Sequence, residues 1–272
     1  MESENRVIQG LWIGGQLSLM EQLSIQSFLK NGHEYHLYVY GDVKNVPENT
    51  IIKDGNEILP QDRIFTYQTG WGKGSYAGFA DLFRYHLLNQ KGGWWVDTDV
   101  ICLKPFNFKS DYVIASSYEG IWGSPAITCV LKLQKNSTFT NYLVETSDRT
   151  DPAQISYGDI GPFLLQRAVA ELKFEQYVVP YDYFCPITWR AVKKIVYPCE
   201  KLSLHKTIES AKDLVRPILR PHTKTGKLTR NSHALHLWNE IWRQNNLNKN
   251  ASFDKRCLYE RLKQRYLCSP SS

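Results

Sequence analysis

No stretch constrains the chain more than Lys91 to Pro105, which reads K-G-G-W-W-V-D-T-D-V-I-C-L-K-P. Gly92 and Gly93 supply turn chemistry, and Trp94, Trp95 and Val96 favour extended backbone. A buried strand therefore runs straight into two carboxylates one residue apart, where an unpaired charge is costly. In extended backbone, side chains at i and i+2 point to one side, so Asp97 and Asp99 can reach the same hard cation or its bound water. Magnesium and manganese take oxygen ligands and commonly share them between carboxylates and substrate phosphates. The plainer reading is a polar turn between two strands, although Asn, Gly or Ser would fill that role more naturally.

The chain around this stretch alternates strands and helices. Val7 to Ile13 reads as a strand ending at Gly14 and Gly15, Ser18 caps a helix reaching about Lys30, and Tyr35 to Tyr40 is a second strand. A strand, a helix and a strand make a right-handed crossover with a parallel sheet, whose ligands bind at the carboxyl ends of strands. Trp12 and Gly14 fall at that end: the indole either stacks on a nucleobase or packs in the core, while the glycines permit close backbone approach. Val43 to Arg63 is rich in Pro, Asn, Asp and Gly and reads as an irregular connection.

Q-T-G-W-G-K-G-S-Y-A-G, from Gln68 to Gly78, lacks P-loop spacing and leads into a helix from about Tyr76 to Asn89. On it Asp81 and Arg84 share a face, either as a surface ion pair or as a pair that grips ligand hydroxyls. Tyr112 to Ser116 and Ala126 to Leu133 read as strands, and Thr138 to Ser147 as a helix. Trp122, in the loop between those strands, is placed on the acceptor side by position alone. Y-G-D-I-G-P, from Tyr157 to Pro162, precedes a helix beginning near Pro162. There Asp159 either orients an acceptor hydroxyl or the reacting carbon, or simply caps the helix.

The aromatic run Tyr177 to Trp189 either stacks on rings or fills the core. Arg216 to Arg230 reads as a basic loop able to close over a diphosphate, or as solvated charge. In S-H-A-L-H-L-W-N, His233 and His236 are both candidates for a manganese-ligating imidazole, followed by Trp238 and Asn239 facing the phosphates. The tail from Phe253 to Leu267 is a basic amphipathic helix that packs on the body or rests on an anionic membrane.

Length and composition bound these readings. At 272 residues and 42% hydrophobic the chain suits one α/β domain. It divides into a ligand-binding half (1–105), an acceptor-side half that completes the metal site (106–245) and a C-terminal basic helix (246–272). The net charge of +6 suits an anionic small ligand or a membrane surface, and no nucleic-acid-binding motif accompanies it. Six cysteines without C-x-x-C pairing favour free thiols in a reducing compartment, while the even count leaves disulfides as the alternative. The polar start M-E-S-E-N-R and the lack of any run of about 20 apolar residues predict a soluble cytoplasmic protein, peripheral at a membrane, or the catalytic domain of a longer one.

The segment Ser75 to Asp99, S-Y-A-G-F-A-D-L-F-R-Y-H-L-L-N-Q-K-G-G-W-W-V-D-T-D, resembles the D-x-D sugar-binding region of glycosyltransferase family 32 and its relatives. Those relatives include the alpha-1,4-galactosyltransferases and the yeast initiating mannosyltransferases. L-W-I-G-G at Leu11, G-D-I-G-P at Gly158 and H-L-W-N at His236 are similar in the same order. The resemblance implies a GT-A-type fold with a mixed, mainly parallel sheet, and a retaining enzyme dependent on Mn²⁺ or Mg²⁺. It also implies a UDP-sugar donor, favoured over a GDP-sugar, and a glycan or glycolipid acceptor. By resemblance Asp97 and Asp99 hold the metal, His236 completes the site, and Asp81 and Arg84 bind the donor sugar. Trp12 would then lie against uracil, and the G-x-x-G-P segment with Gly161 beside the transferred sugar. Two rivals remain: a toxin-like effector that glycosylates a protein, and an inactive nucleotide-sugar-binding module.

Overall fold

The computed structural model describes residues 5–197 and 226–268. A six-stranded sheet in the order β3-β2-β1-β4-β7-β6 forms its centre. Strands β1 (Val7–Trp12), β2 (Glu34–Val39), β3 (Ile51–Asp54) and β4 (Gly93–Val96) run parallel, while β6 (Val113–Ser116) and β7 (Ala126–Leu133) close the other side antiparallel. The mixed, mainly parallel sheet is thus as expected. A separate two-stranded ribbon pairs β5 (Val100–Cys102) with β8 (Ala234–His236).

Local sequence explains the first crossover. Helix α1 (Leu19–Lys30) starts with a complete capping box, in which Ser18 accepts from the backbone and Glu21 reaches back to the Ser18 N–H at 2.7 Å. Helix α2 (Ala77–Lys91) stops at Gly92, whose φ of 69° lies in the left-handed region. A Cβ there would stand 3.0 Å from the Lys135 nitrogen, so glycine is needed twice over. Two residues further, Trp94 and Trp95 point to opposite faces of β4 and are both fully buried. Trp95 packs with Phe83 and Leu131 on the α2 side; Trp94 packs with Phe28 and Phe106 on the α1 side. Truncating either to alanine would cost about 3–5 kcal/mol.

Two expectations need correcting. Val43 to Arg63 is not wholly irregular, because Ile51–Asp54 adds β3 to the sheet edge. Ile51 and Ile52 are exposed there, so the strand leaves no alternating burial pattern to read. The segment before α4 (Leu164–Glu171) does not begin a regular helix at Pro162; Asp159–Phe163 makes one wide π-turn first. Of the basic loop, residues 216–225 lie outside the described residues, as does Cys199.

Among the described residues the remaining α-helices are α3 (Thr138–Asp148), the short α5 (Lys193–Val196), α6 (Asn239–Gln244) and α7 (Leu258–Tyr266). Helix α7 packs on the body: Tyr259, Leu262 and Tyr266 join Met20, Leu23 and Trp242 in a third core cluster. Among the described residues no helix is long and apolar enough to cross a membrane.

Candidate active site

The carboxyl ends of β1 and β4 open into a cavity of about 730 Å³. Its wall includes Trp12, Asp81, Arg84, Asp97, Asp99, His236, Trp238 and Asn239. Eight of the eleven expected site residues therefore share one space.

The D-T-D segment is a tight turn, closed by the Val100 N–H donating to the Asp97 carbonyl at 3.1 Å, and not the extended run that the i, i+2 argument assumed. The acids converge nonetheless, because β8 brings His236 against the turn. One ligand atom from each of Asp97, Asp99 and His236 lies within 4.8 Å of the other two. Each acid has one oxygen tied down. Asp97 Oδ1 accepts from Arg84 Nη2 at 2.9 Å and from Trp95 Nε1 at 2.8 Å. Asp99 Oδ2 accepts from the Asn239 N–H at 2.7 Å and lies 3.2 Å from His236 Nε2.

The second oxygen of each acid carries no hydrogen bond among the described residues. Two such carboxylate oxygens and an imidazole nitrogen are a donor set suited to Mn²⁺ or Mg²⁺, so the residues fit a divalent ion. Of the two histidines considered, His233 is elsewhere, packed against Phe108 and Tyr183.

Electrostatics set the acids apart. Burial, helped by the neighbouring Asp99 and opposed by Arg84, pushes Asp97 up to about 6. Burial also works against ionised Asp99, but the His236 charge and the hydrogen bonds from His236 and the Asn239 N–H outweigh it and hold Asp99 below the usual carboxylate range. Reciprocally, burial disfavours a charged His236, and Asp99 overrides it to raise the imidazole well above its ordinary value.

Asp81 and Arg84 are not a surface pair. They are 5% and 4% exposed, with Arg84 Nη1 2.7 Å from Asp81 Oδ1 and Nη2 on Asp97. Arg84 thus links the helix to the D-T-D turn. Its Nε has no acceptor among the described residues, which leaves a buried donor at the cavity wall.

The G-D-I-G-P segment contributes differently from its sequence reading. Asp159 is exposed, does not line the cavity, and accepts from the Ser156 N–H at 2.7 Å. It closes its own turn, so the catalytic expectation for Asp159 has no geometric support. Gly161 instead passes its backbone against Asp81: a Cβ there would sit 2.3 Å from Asp81 Oδ2, and its carbonyl accepts from the Tyr85 hydroxyl at 3.1 Å. Gly14 is exposed and does not line the cavity, and a Cβ placed on it would stand 3.3 Å from Trp12 Nε1.

Two regions of the chain match known protein families. Residues 19–118 match the glycosyltransferase sugar-binding region containing a DXD motif, and residues 153–269 match the alpha 1,4-glycosyltransferase conserved region. The two matched regions together mark the chain as a glycosyltransferase. Solved structures similar to it include the PaToxG glycosyltransferase, at 16% identity over 61% of this chain and 69% of that one, with a TM-score of 0.44. Another is the apo-form glycosyltransferase GlyE of Streptococcus pneumoniae TIGR4, at 14% identity over 89% of this chain and 60% of that one, with a TM-score of 0.40. No curated protein sequence matches.

Several wall residues of this glycosyltransferase escaped the sequence reading. Tyr157 was visible only as the start of the Y-G-D-I-G-P segment and Trp189 only as the end of an aromatic run, while Glu240 and Arg243 carried no signal at all. Arg243 bonds Glu240 at 2.7 Å and the Lys73 carbonyl at 3.1 Å, so α6 ties down the glycine-rich turn ahead of α2. Lys249 stands 5.5 Å over the Trp12 ring and pairs with buried Glu21 at 2.6 Å.

Proposed function

We propose that this glycosyltransferase transfers a hexose from a UDP-sugar to a hydroxyl of a glycan or glycolipid, with retention at the anomeric carbon and with a divalent ion, Mn²⁺ or Mg²⁺, held by Asp97, Asp99 and His236. The observation that carries this reading is the convergence of one ligand atom each from Asp97, Asp99 and His236 to within 4.8 Å of one another at the D-T-D turn. A bound divalent ion supplies positive charge opposite the departing diphosphate.

The protein's own groups do the rest. Arg84 is anchored on Asp97 and, through Asp81, positions hydroxyls of the donor sugar. Gly161 leaves the space into which the Asp81 carboxylate fits. Trp12 offers a ring at the end of β1 for the nucleobase, and its buried Nε1 has no partner among the described residues. Trp238, in left-handed backbone with φ 62°, turns the chain so that the Asn239 N–H meets Asp99.

Measuring UDP release from a panel of UDP- and GDP-sugars, with Mn²⁺ or with a chelator, tests this. The expected result is turnover with one UDP-sugar and loss of at least 90% of it on chelation. Undiminished turnover in the chelator, or turnover with GDP-sugars alone, would refute the respective part.

A further inference from the structure

His236 faces two ways. Its Nε2 points at Asp99, while its Nδ1 lies 3.9 Å from Cys185 Sγ, which is itself 3.8 Å from Cys129 Sγ. The three donor atoms all lie within 4.8 Å of one another and all three residues are buried. A tetrahedral cation with Zn–S near 2.3 Å and Zn–N near 2.0–2.1 Å sets its S···S separation at about 3.8 Å and its S···N separation at about 3.6 Å. The Cys129–Cys185 and Cys185–His236 separations are within a few tenths of an ångström of these values, and the third separation is at most 4.8 Å.

The backbone holds the triad in place. The Cys129 carbonyl accepts from the Asp97 N–H at 2.9 Å, the Cys185 N–H bonds the Tyr181 carbonyl at 2.7 Å, and the His236 N–H bonds the Phe184 carbonyl at 2.9 Å. Cys129 and His236 both line the cavity, so a fourth coordination position opens toward it.

We propose that Cys129, Cys185 and His236 form a second metal site, selective for a soft cation such as Zn²⁺, that competes with the Asp97–Asp99 centre for the one imidazole. Thiolate ligands favour zinc over manganese. On binding, two metal–sulfur bonds form as two S–H bonds break and their protons leave to solvent, and no oxidant is consumed. A neutral imidazole coordinating through Nδ1 keeps its proton on Nε2, which donates to Asp99 and cannot ligate an ion there. The competition, though not the site, rests on His236 being a ligand of the acid-bound ion.

The test uses the full chain, reduced and stripped of metal, with Cd²⁺ and Zn²⁺ as probes. One equivalent of Cd²⁺ should produce thiolate-to-metal charge-transfer absorption, which persists in Asp97→Asn and disappears in Cys185→Ser. X-ray absorption at the zinc edge of the unaltered chain should show two sulfur and one nitrogen scatterers, a reading that does not depend on any variant folding. Zinc should also raise the Mn²⁺ concentration for half-maximal turnover at least about tenfold in the wild type and not in Cys185→Ser. No charge-transfer absorption, its persistence in Cys185→Ser, or a zinc shell of oxygen and nitrogen only would overturn the site. Sulfur ligation without any change in the Mn²⁺ requirement would overturn the competition and remove His236 from the acid-bound ion.

Discussion

Two acid-bearing turns meet the cavity and treat their acids in opposite ways. The D-T-D turn at Asp97 to Asp99 directs both carboxylates inward, where Arg84, Trp95, His236 and the Asn239 N–H grip one oxygen each. The turn at Gly158 to Pro162 sends Asp159 outward to close itself on Ser156 and offers the cavity side Gly158 and Pro162, neither of which carries a charge. An acid is drawn inward where buried donors from other elements await it; without them, desolvation keeps it at the surface. What a motif contributes thus depends on partners far away in sequence, since His236 and Asn239 lie more than 130 residues from the acids they position.

The comparison breaks most readily at Asp99. Asp99→Asn is expected to lower kcat/KM by well over about 100-fold, because changing only the partners of metal ligands already costs ~10–100-fold. Circular dichroism should show the fold retained, and turnover within tenfold of wild type would remove the D-T-D turn from the chemistry. Next comes Gly161→Ala, whose new methyl meets Asp81 at 2.3 Å. Overpacking of this kind costs about 1–3 kcal/mol, and displacement of Asp81 should raise the donor KM. A donor KM that stays at the wild-type value would show that the glycine turn serves stability alone.

A pH series in chelator sharpens the inward side. Asp97 is raised to about 6 and His236 is raised as well, so both bind protons more tightly folded than unfolded. Such groups stabilise the fold at low pH and lose that contribution as pH rises, Asp97 between about pH 4 and about 6 and His236 above about 6.5. Asp99 has the opposite sign, its contribution vanishing as pH falls below the usual carboxylate range. The metal-free Tm should therefore decline from pH 5 to pH 8, and Asp97→Asn should flatten the part below pH 6. A Tm that climbs over this window would contradict the burial of the pair. The smallest effect is expected of Asp159→Ala, which loses one exposed turn hydrogen bond worth about 1 kcal/mol and leaves turnover within about threefold of wild type. A hundredfold loss of turnover there would put the two turns on equal footing.

Local patterns carried much of the fold. Ser18 ahead of α1, and Gly92 and Gly93 followed by two tryptophans, mark boundaries through short-range hydrogen bonding and φ preference, and these appear where the sequence puts them. Strand β3 was missed because an exposed edge strand has no burial pattern. The burial of Asp81 and Arg84 could not be read either, since the covering atoms come from Gly161 and Asp97. Glu240 and Arg243 gave no signal because their role depends on the distant Lys73 carbonyl.

By itself, the sequence determined the strand that ends in acid, the crossover before it and the residue types able to hold a cation, because propensity, capping and ligand chemistry are properties of neighbouring residues. Tertiary structure alone decided that β8 meets the D-T-D turn, that His236 stands between two carboxylates and two thiols, and that Asp159 stays outside. Those outcomes depend on which buried groups find partners across the fold, and that is settled only when the sheet and the β5–β8 ribbon close around one cavity.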